Sequence, residues 1–555
     1  MAVKRPSGFK FTRLDTIGAP DAEMDGDILA SCFVDTGDLA VIQDPGDRRV
    51  ILLGRTGTGK TALLRRLELS HPDQTITIRP ETLALSHIAN SQILNSVSAL
   101  GINLDPLFKL LWRHVFVVEL LRRYFDQHAV ANKEEGLLAW LQSFFSGTSR
   151  EARQSQKAIE YLREWGESFW EETEYRVKEI TRKIESEIEE SLKASLGGKY
   201  TNVSGGKSTR GLLSDEERLE VANRTQEVVS RAQVQDLTQV MQLLGQVLSN
   251  RQHPYFIVID QLDENWVEER VRYQLIKALI LTAREFIGGT NAKIILAIRR
   301  DLIDRVFRLT RDPGFQEEKF VGNYLPLTWT RDQILNVLDS RVRYLVARRY
   351  TKQPVGYRDV LPETFDGRNI GDVIFEFAPR PRDVIALFNC CIQAGADKSY
   401  IGVHEFSIAL GEYSRGRLRA LADEWNADYP RLLDYAAIFK GRQVSFKIGS
   451  VTGNELEDLC LSIAAEHPAR ERGIHTMGHA VVEGDLSPSA FKEALFHHFY
   501  KTGLVGLKMS PDSRASWVND SGQPVVRSQI TDEVGVVLHP AYRRALGASE
   551  HRSQL

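Results

Sequence analysis

The chain has 555 residues, a formal net charge of −3 and four cysteines. Its length suffices for three or four domains, and its near-neutral charge excludes a whole-molecule field that attracts nucleic acid or membranes. So few cysteines exclude a disulfide framework, and the N-terminus lacks the apolar core of a signal peptide, so we expect a cytoplasmic protein without membrane contact.

Residues 1–47 form an N-terminal docking segment with few periodic signals. The segment includes SCFVDTGDL, an apolar and acidic stretch that lies just before the first predicted strand. Two interpretations are open. Either Phe33 or Val34 covers the adenine of a bound nucleotide, or the stretch is a plain docking segment.

A glycine-rich loop follows the apolar run 50–53 and leads directly into a helix-forming segment. The pattern G-x-x-x-x-G-K-[ST] between a strand and a helix is typical of a loop that binds nucleotide phosphates through backbone N–H groups. We expect Lys60 to reach the β- and γ-phosphates and the Thr61 hydroxyl to ligate Mg²⁺. The alternative is a glycine-rich turn before an ordinary helix. The residues that we expect to bind ATP are Gly54, Arg55, Thr56, Gly57, Thr58, Gly59, Lys60 and Thr61.

Residues 48–100 and 251–345 are predicted to form a P-loop NTPase core with a parallel α/β sheet. Gln74 to Pro80 alternates β-branched residues as a strand does, and the continuous apolar run from Phe256 to Ile259 is typical of a fully buried parallel strand. Asp260 ends this run, and we expect its carboxylate to hold Mg²⁺.

Residues 101–250 form a long insertion in which helical patterning dominates. One interpretation is a helical hairpin with a solvated tip. The other is a projecting arm that senses a partner or DNA through tip cations such as Lys199, Lys207 and Arg210.

Arg299 and Arg300 follow another apolar strand, at the sheet edge that faces the ligand in an open α/β fold. One of them is predicted to sense a phosphate, and the alternative is a structural ion pair.

Residues 346–440 are predicted to be a helical lid. There, a lid arginine, Arg380 or Arg382, is predicted to contact the γ-phosphate. The alternative is that Asp383 caps the helix and that both arginines are surface residues.

Residues 441–555 change character, because helices are followed by two short strands separated by a polar loop. This order predicts a winged-helix-like domain whose helix at 488–501 enters the major groove of double-stranded DNA. Lys492, His497, His498 and Lys501 are its basic residues. Docking of an effector protein is the alternative.

The ordered segments GRTGTGKT, FIVIDQLD, KIILAIRRD and RPRD resemble the AAA+/STAND side of the P-loop superfamily. More narrowly, KIILAIRRDLIDRVF with the following helix, and the closing GLVGLKMSP…VVLHPAYRRALG, resemble bacterial stand-alone P-loop ATPases of mobile-element, phage-defence or DNA-repair settings. The resemblance implies an ATP-dependent switch or motor that forms a homo-oligomer.

The residue after Asp260 departs from the AAA+ pattern, in which a catalytic Glu stands at this position. Gln261 is uncharged and is a poor general base. Asp263 or Glu264 can serve instead if the turn brings either within reach of the attacking water. We therefore expect slow hydrolysis of Mg-ATP.

Three functions remain open from the sequence. The first is a slowly hydrolysing ATPase switch in a defence or DNA-transaction system. The second is a non-enzymatic, ATP-bound DNA-binding regulator or scaffold for an effector. The third is a kinase or another transferase, against which stands the lack of an acceptor-pocket motif.

Overall fold

A computed structural model describes residues 9–83, 104–264, 266–287, 290–310 and 317–549, with gaps inside these ranges. Between 128 and 252 it describes only 182, 186–190, 193, 223, 244 and 248. In the gap between 83 and 104 it describes only residue 94. Shorter gaps lie at 427, 468–472 and 519–524. Most of the predicted insertion, including the tip cations Lys199, Lys207 and Arg210, lies outside the described residues.

The chain divides into two compact units. The sheet unit is Asp35–Thr328, and the helical unit joins Met1–Val34 to Trp329–Leu555. The second boundary lies before the predicted one at 345, because the helix that begins at Arg331 packs its apolar face into the core of the helical unit.

The sheet unit alternates strands and helices. Its elements are α2 (Asp38–Gln43), β1 (Ile51–Gly54), α3 (Lys60–Ser70), β2 (Thr75–Ile78), α4 (Asp105–Gln127), β3 (Tyr255–Ile259), α5 (Glu269–Glu285), β4 (Ala292–Arg299), α6 (Arg300–Leu309), α7 (Glu318–Val321) and β5 (Tyr324–Pro326).

The five strands form one parallel sheet in the order β2-β3-β4-β1-β5. All five residues of β3 are buried, as its continuous apolar run predicts for a strand covered on both faces. Strand β4 lies between β1 and β3, and Arg299 is in register with Gly54. The predicted parallel α/β core is therefore confirmed, and β4 ends between the glycine-rich loop and Asp260.

Helix α4, at the start of the predicted insertion, belongs to the core of the sheet unit. The indole N–H of Trp112 donates to the Leu275 carbonyl of α5 at 2.9 Å, and the Lys277 ammonium lies 2.7 Å from the Asp105 carboxylate. These contacts fix α4 against α5, so at least this part of 101–250 is a core helix.

The helical unit is built around a second hydrophobic core. Its elements are α1 (Gly26–Ser31), α8 (Arg331–Arg349), α9 (Tyr357–Val360), β6 (Thr364–Phe365), β7 (Arg368–Asn369), α10 (Ile370–Phe377), α11 (Pro381–Ala394), α12 (Val403–Trp425), α13 (Leu432–Ala436), β8 (Ser445–Lys447), α14 (Gly453–Glu466), α15 (Ile474–Val482), α16 (Pro488–Thr502), β9 (Val505–Lys508), β10 (Gly535–Leu538) and α17 (Pro540–Arg543).

Helix α8 begins with a capping box, in which the Thr330 hydroxyl accepts from the Gln333 N–H and the Gln333 side chain accepts from the Thr330 N–H. Its Arg341 is buried and forms a salt bridge with the buried Asp25 carboxylate next to α1. Near the C-terminus, β8, β10 and β9 form an antiparallel sheet in that order, with α16 directly before β9. Among the described helices, none combines the length and apolarity that crossing a bilayer demands.

Candidate nucleotide-binding site

The glycine-rich loop takes the conformation that its sequence predicts. Gly57 and Gly59 have φ values of 80° and 94°, a backbone region that favours glycine. A Cβ on Gly54 would lie 2.3 Å from the Thr58 hydroxyl oxygen, which itself donates to the Arg55 carbonyl at 2.8 Å. The tight loop therefore needs glycine for two reasons, backbone conformation and close packing. It leads directly into the N-terminus of α3.

Lys60, the first residue of α3, folds its side chain back along the loop. Its ammonium donates to the carbonyls of Gly54 and Arg55 at 3.1 and 3.2 Å. Burial lowers the pKa of Lys60 below its usual value, while the carboxylates of Asp260 and Asp263 act in the opposite direction. A buried ammonium close to loop carbonyls is placed to exchange these contacts for phosphate oxygens.

Thr61 and Asp260 meet across the sheet edge. The Thr61 hydroxyl donates to one Asp260 carboxylate oxygen at 2.6 Å, and the backbone N–H of Gln261 donates to the other at 2.8 Å. A hydroxyl and a carboxylate are hard oxygen ligands of the kind that Mg²⁺ prefers. No group of three or more His, Cys, Asp and Glu side chains suited to a metal occurs among the described residues. The pair therefore fits Mg²⁺ that takes further ligands from phosphates and water.

Arg299 connects the carboxylates at this edge. Its guanidinium forms two hydrogen bonds with Asp301, at 3.0 and 2.9 Å, and a third contact with Asp263 at 3.2 Å. Its charge also lowers the pKa of Lys60. Arg300 is exposed at the start of α6. Its charge acts to lower the pKa of Tyr324 of β5, which burial raises. Of the two predicted phosphate sensors, the structure brings only Arg299 into the site.

The turn after β3 holds both predicted general bases. Gln261 has a φ of 60°, an uncommon value for a residue with a side chain, and this turns the chain sharply after Asp260. The side chains of Asp263 and Glu264 are both exposed. Asp263 contacts Arg299, and its charge raises the pKa of Lys60, which places Asp263 in the site.

Arg380 and Arg382 lie in the helical unit. The Arg380 guanidinium donates to Asp383 at 2.6 Å, and Arg417 lies 3.2 Å from the same buried carboxylate. Arg382 pairs with Asp21. Arg380 is itself the N-cap residue of α11, and both arginines are half-buried, so the structure corrects the alternative in which Asp383 caps the helix and the two arginines lie on the surface. Contact of either arginine with a γ-phosphate stays a prediction.

The basic residues predicted on the DNA-reading face of α16 are not all exposed. Lys492 is buried, lies 2.6 Å from the Asp532 carboxylate and donates to the Val451 carbonyl. Burial lowers the pKa of His497, and it lowers the pKa of His498 to about 4, so His498 is neutral at pH 7. Lys501 is half-buried. The physical reason is that α16 supplies the core of the C-terminal part of the unit.

Phe33 and Val34, the predicted adenine-covering residues, also belong to the helical unit. Val34 packs on its hydrophobic core. The sequence analysis did not identify Asp301 as the carboxylate that binds Arg299. The signal is present in the sequence, because Asp301 lies two residues after Arg299, the last residue of the buried strand β4.

Comparison with known proteins gives three kinds of match. Residues 332–422 match the model of the FunZ-associated C-terminal helical domain. An Escherichia coli (strain K12) protein, described as an 80.3 kDa protein of transposon gamma-delta, is 20% identical over 98% of this chain and 68% of its own length. Among solved structures, a Walker-type ATPase of Pyrococcus abyssi is 12% identical with a TM-score of 0.35, covering 96% of this chain and 99% of that one. Cdc6p from Pyrobaculum aerophilum is 13% identical with a TM-score of 0.25, and the match covers 93% of this chain and 91% of that one.

Proposed function

We propose that the chain binds Mg-ATP at the glycine-rich loop and hydrolyses it slowly as a conformational switch. One observation carries the proposal: Lys60, the Thr61–Asp260 pair and the Arg299–Asp263 pair lie at one edge of a parallel sheet. Ligands of open α/β sheets bind at the carboxyl ends of the strands, where these residues lie.

The loop and Lys60 bind the phosphates, and Thr61 with Asp260 would hold Mg²⁺. Mg²⁺ would neutralise charge between the β- and γ-phosphate oxygens. The γ-phosphate competes with Asp263 and Asp301 for the Arg299 guanidinium, because all three are anionic acceptors. When Arg299 moves to the phosphate, the Asp263 carboxylate is released.

Asp263 then accepts a proton from the water that attacks the γ-phosphorus. The bond between the γ-phosphorus and the β–γ bridging oxygen breaks, and ADP and inorganic phosphate leave. Hydrolysis is slow because Asp263 becomes a base only after this exchange and because the uncharged Gln261 occupies the position next to Asp260. The arrangement therefore couples the presence of a γ-phosphate to a change of ion pairs, which is what a switch requires.

The output lies in the helical unit in this proposal. The sheet order β8-β10-β9 with α16 before β9 is that of a winged helix, and it supports a winged-helix-like domain. Because α16 is largely buried and His498 is neutral, docking of an effector protein is better supported than reading of double-stranded DNA. The transposon origin of the E. coli relative supports a mobile-element or defence setting.

Steady-state phosphate release with Mg-ATP tests the enzyme directly. We expect low turnover in the wild type that Lys60→Ala abolishes, because the loop loses its phosphate-binding charge. Lys352→Gln, an exposed lysine of the helical unit, is the matched control and should keep the wild-type rate. Wild-type turnover no higher than that of Lys60→Ala would contradict the enzyme and favour the alternative, an ATP-bound scaffold. The same assay with duplex DNA added tests the DNA-binding alternative. A higher rate of phosphate release with DNA would favour that alternative.

A further inference from the structure

A cavity of about 580 Å³ opens in the sheet unit, away from the glycine-rich loop. Arg48 lies just before β1, and Gly322 and Asn323 lie just before β5, so the cavity is at the amino edge of the parallel sheet. The loop follows the carboxyl end of β1, at the opposite edge. The lining residues are Arg48, Lys109, Leu281, Arg284, Glu285, Ile287, Lys319, Gly322 and Asn323.

Four of the lining residues are cations, and they come from four different segments of the chain. Across the described residues, Arg48, Lys109, Arg284 and Lys319 form no salt bridge with any carboxylate. The one acidic lining residue, Glu285, is already paired with Arg113 of α4 at 2.5 Å. Four cations beside one carboxylate that is already paired repel one another, and an anion relieves that repulsion.

The walls of the cavity are held in place by contacts other than salt bridges of these four cations. The Asn323 amide donates to the Arg48 carbonyl at 2.9 Å, which fixes the segment before β1 to the segment before β5. The Arg284 guanidinium stacks 4.4 Å from the Phe320 ring centre. The Arg113–Glu285 pair holds α4, and with it Lys109, against the end of α5. These contacts hold the Arg284 guanidinium and the backbone segments that carry the other cations, which lowers the entropic cost of binding a ligand.

The shape of the site limits the kind of ligand. Its volume lies in the range of small-molecule pockets, roughly 300–1,000 Å³. Two aliphatic side chains, Leu281 and Ile287, contribute apolar surface beside the cations. A nucleic-acid backbone binds along an extended basic stripe, whereas four cations around one concavity suit a compact ligand with several charges.

We propose that this cavity binds a small ligand with at least two phosphate groups, as a second site distinct from the glycine-rich loop. Arg48 and Lys319, both exposed, meet the phosphates at the mouth. Arg284 and Lys109, both half-buried, meet them deeper inside. The proposal is independent of ATP hydrolysis, because none of these residues lies at the carboxyl edge of the sheet.

Titration calorimetry with inorganic tripolyphosphate tests the site on the full-length Lys60→Ala protein, in which the loop has lost its phosphate-binding charge. We expect one bound tripolyphosphate per chain, with an affinity that falls as salt screens the charges. Arg48→Gln with Lys319→Gln should weaken binding by about tenfold or more, because two charge-assisted contacts are lost. Lys352→Gln, which removes a charge from the other unit, should leave the affinity unchanged.

Arg284→Gln is a second variant for the same binding measurement. Its thermal unfolding is measured as well, so that a loss of stability from the missing Phe320 contact is told apart from a loss of binding. Absence of tripolyphosphate binding to Lys60→Ala at low salt would overturn the proposal. Binding that Arg48→Gln with Lys319→Gln leaves unchanged would do the same. If a duplex oligonucleotide binds through these residues and tripolyphosphate does not, the surface is a nucleic-acid site and the proposal is wrong.

Discussion

Arg299 is the residue on which the proposed switch depends. It is the last residue of a buried strand, it is in register with the first glycine of the loop, and it contacts two carboxylates. An arginine bound to carboxylates this close to the proposed phosphate site can exchange them for a phosphate, because guanidinium binds both kinds of anion in the same planar geometry.

Asp263→Asn should lower the steady-state rate of ATP hydrolysis by about 100-fold or more, while ATP affinity changes little. The amide cannot accept the proton of the attacking water. Glu264→Gln removes a neighbouring exposed carboxylate and is the matched control, so it should keep most of the rate. Equal loss of rate in the two variants would show that the turn as a whole matters, and full rate in Asp263→Asn would show that the base lies elsewhere.

Arg299→Gln should reduce the preference for ATP over ADP by about tenfold, because the γ-phosphate loses its cationic partner. Equilibrium titrations with both nucleotides measure this ratio. Arg300→Gln is the control on the adjacent exposed arginine and should preserve the preference. If Arg300→Gln abolishes it and Arg299→Gln does not, the assignment of the sensor is reversed.

At this scale the sequence predicts the loop, Lys60, Thr61 and Asp260, because their spacing reflects local backbone requirements that hold in any context. It does not separate Arg299 from Arg300. The separation depends on strand register and on which side chain faces Asp263, and both are set by tertiary structure. The cationic cavity was also missed, since its four cations are distant in sequence.

At the scale of elements, Lys293 ties an N-terminal helix to the central sheet. Its ammonium donates to the carbonyls of Val41 and Asp44 at 2.6 and 2.9 Å, at the C-terminal end of α2. Burial lowers the pKa of Lys293 to about 8, although Asp47 and Asp44 oppose the shift. These hydrogen bonds between the sheet and the end of α2 are therefore donated by an ammonium group whose charged form is destabilised by burial in the folded protein.

This pKa shift has a definite sign in stability. Between the folded pKa of about 8 and the ordinary value of 10.5, the unfolded chain holds a proton that the folded chain has lost. The free energy of unfolding therefore rises with pH across this interval, by at most about 1.4 kcal/mol per pH unit from this group.

Lys293→Met removes the titrating group and should flatten that rise. Urea unfolding of wild type and variant at both ends of the interval measures the difference. Parallel pH dependence in the two proteins would show that Lys293 keeps an ordinary pKa.

Helix α16 shows where sequence reasoning about an element has a limit. Its bounds and the two following strands were predicted correctly from periodicity and turn residues. Its solvent exposure was not predicted correctly, because the number of partners packed around a helix cannot be read from the charges on it. Lys492 is buried because Asp532, from the segment before β10, supplies its counter-charge.

At the scale of the whole molecule, the chain has two units with separate hydrophobic cores. Every residue assigned to phosphate binding by geometry lies in the sheet unit, whereas the FunZ-associated domain match lies in the helical unit. Self-association into a homo-oligomer remains a proposal from the resemblance, and light scattering with and without ATP tests it.

Mg-ATP should stabilise the sheet unit selectively, since a ligand that binds only the folded state raises its unfolding temperature. Limited proteolysis with mass spectrometry locates the protected cleavage sites during a temperature series. We expect ATP to protect sites within 35–328 in a protein that carries Arg48→Gln and Lys319→Gln, and this protection should be lost when Lys60→Ala is added. Equal protection with Lys60→Ala added would place the nucleotide at another site.

The central claim is that the glycine-rich loop with Lys60 is an ATP site, and equilibrium titration of Mg-ATP tests it most directly. The Asp263→Asn protein that also carries Arg48→Gln and Lys319→Gln is suited to this titration, because it should bind ATP without consuming it and lacks the two exposed cations of the cavity. We predict one ATP per chain, bound more tightly than ADP, and loss of that binding when Lys60→Ala is added. The claim is contradicted if ATP does not bind, or if Lys60→Ala leaves the affinity unchanged.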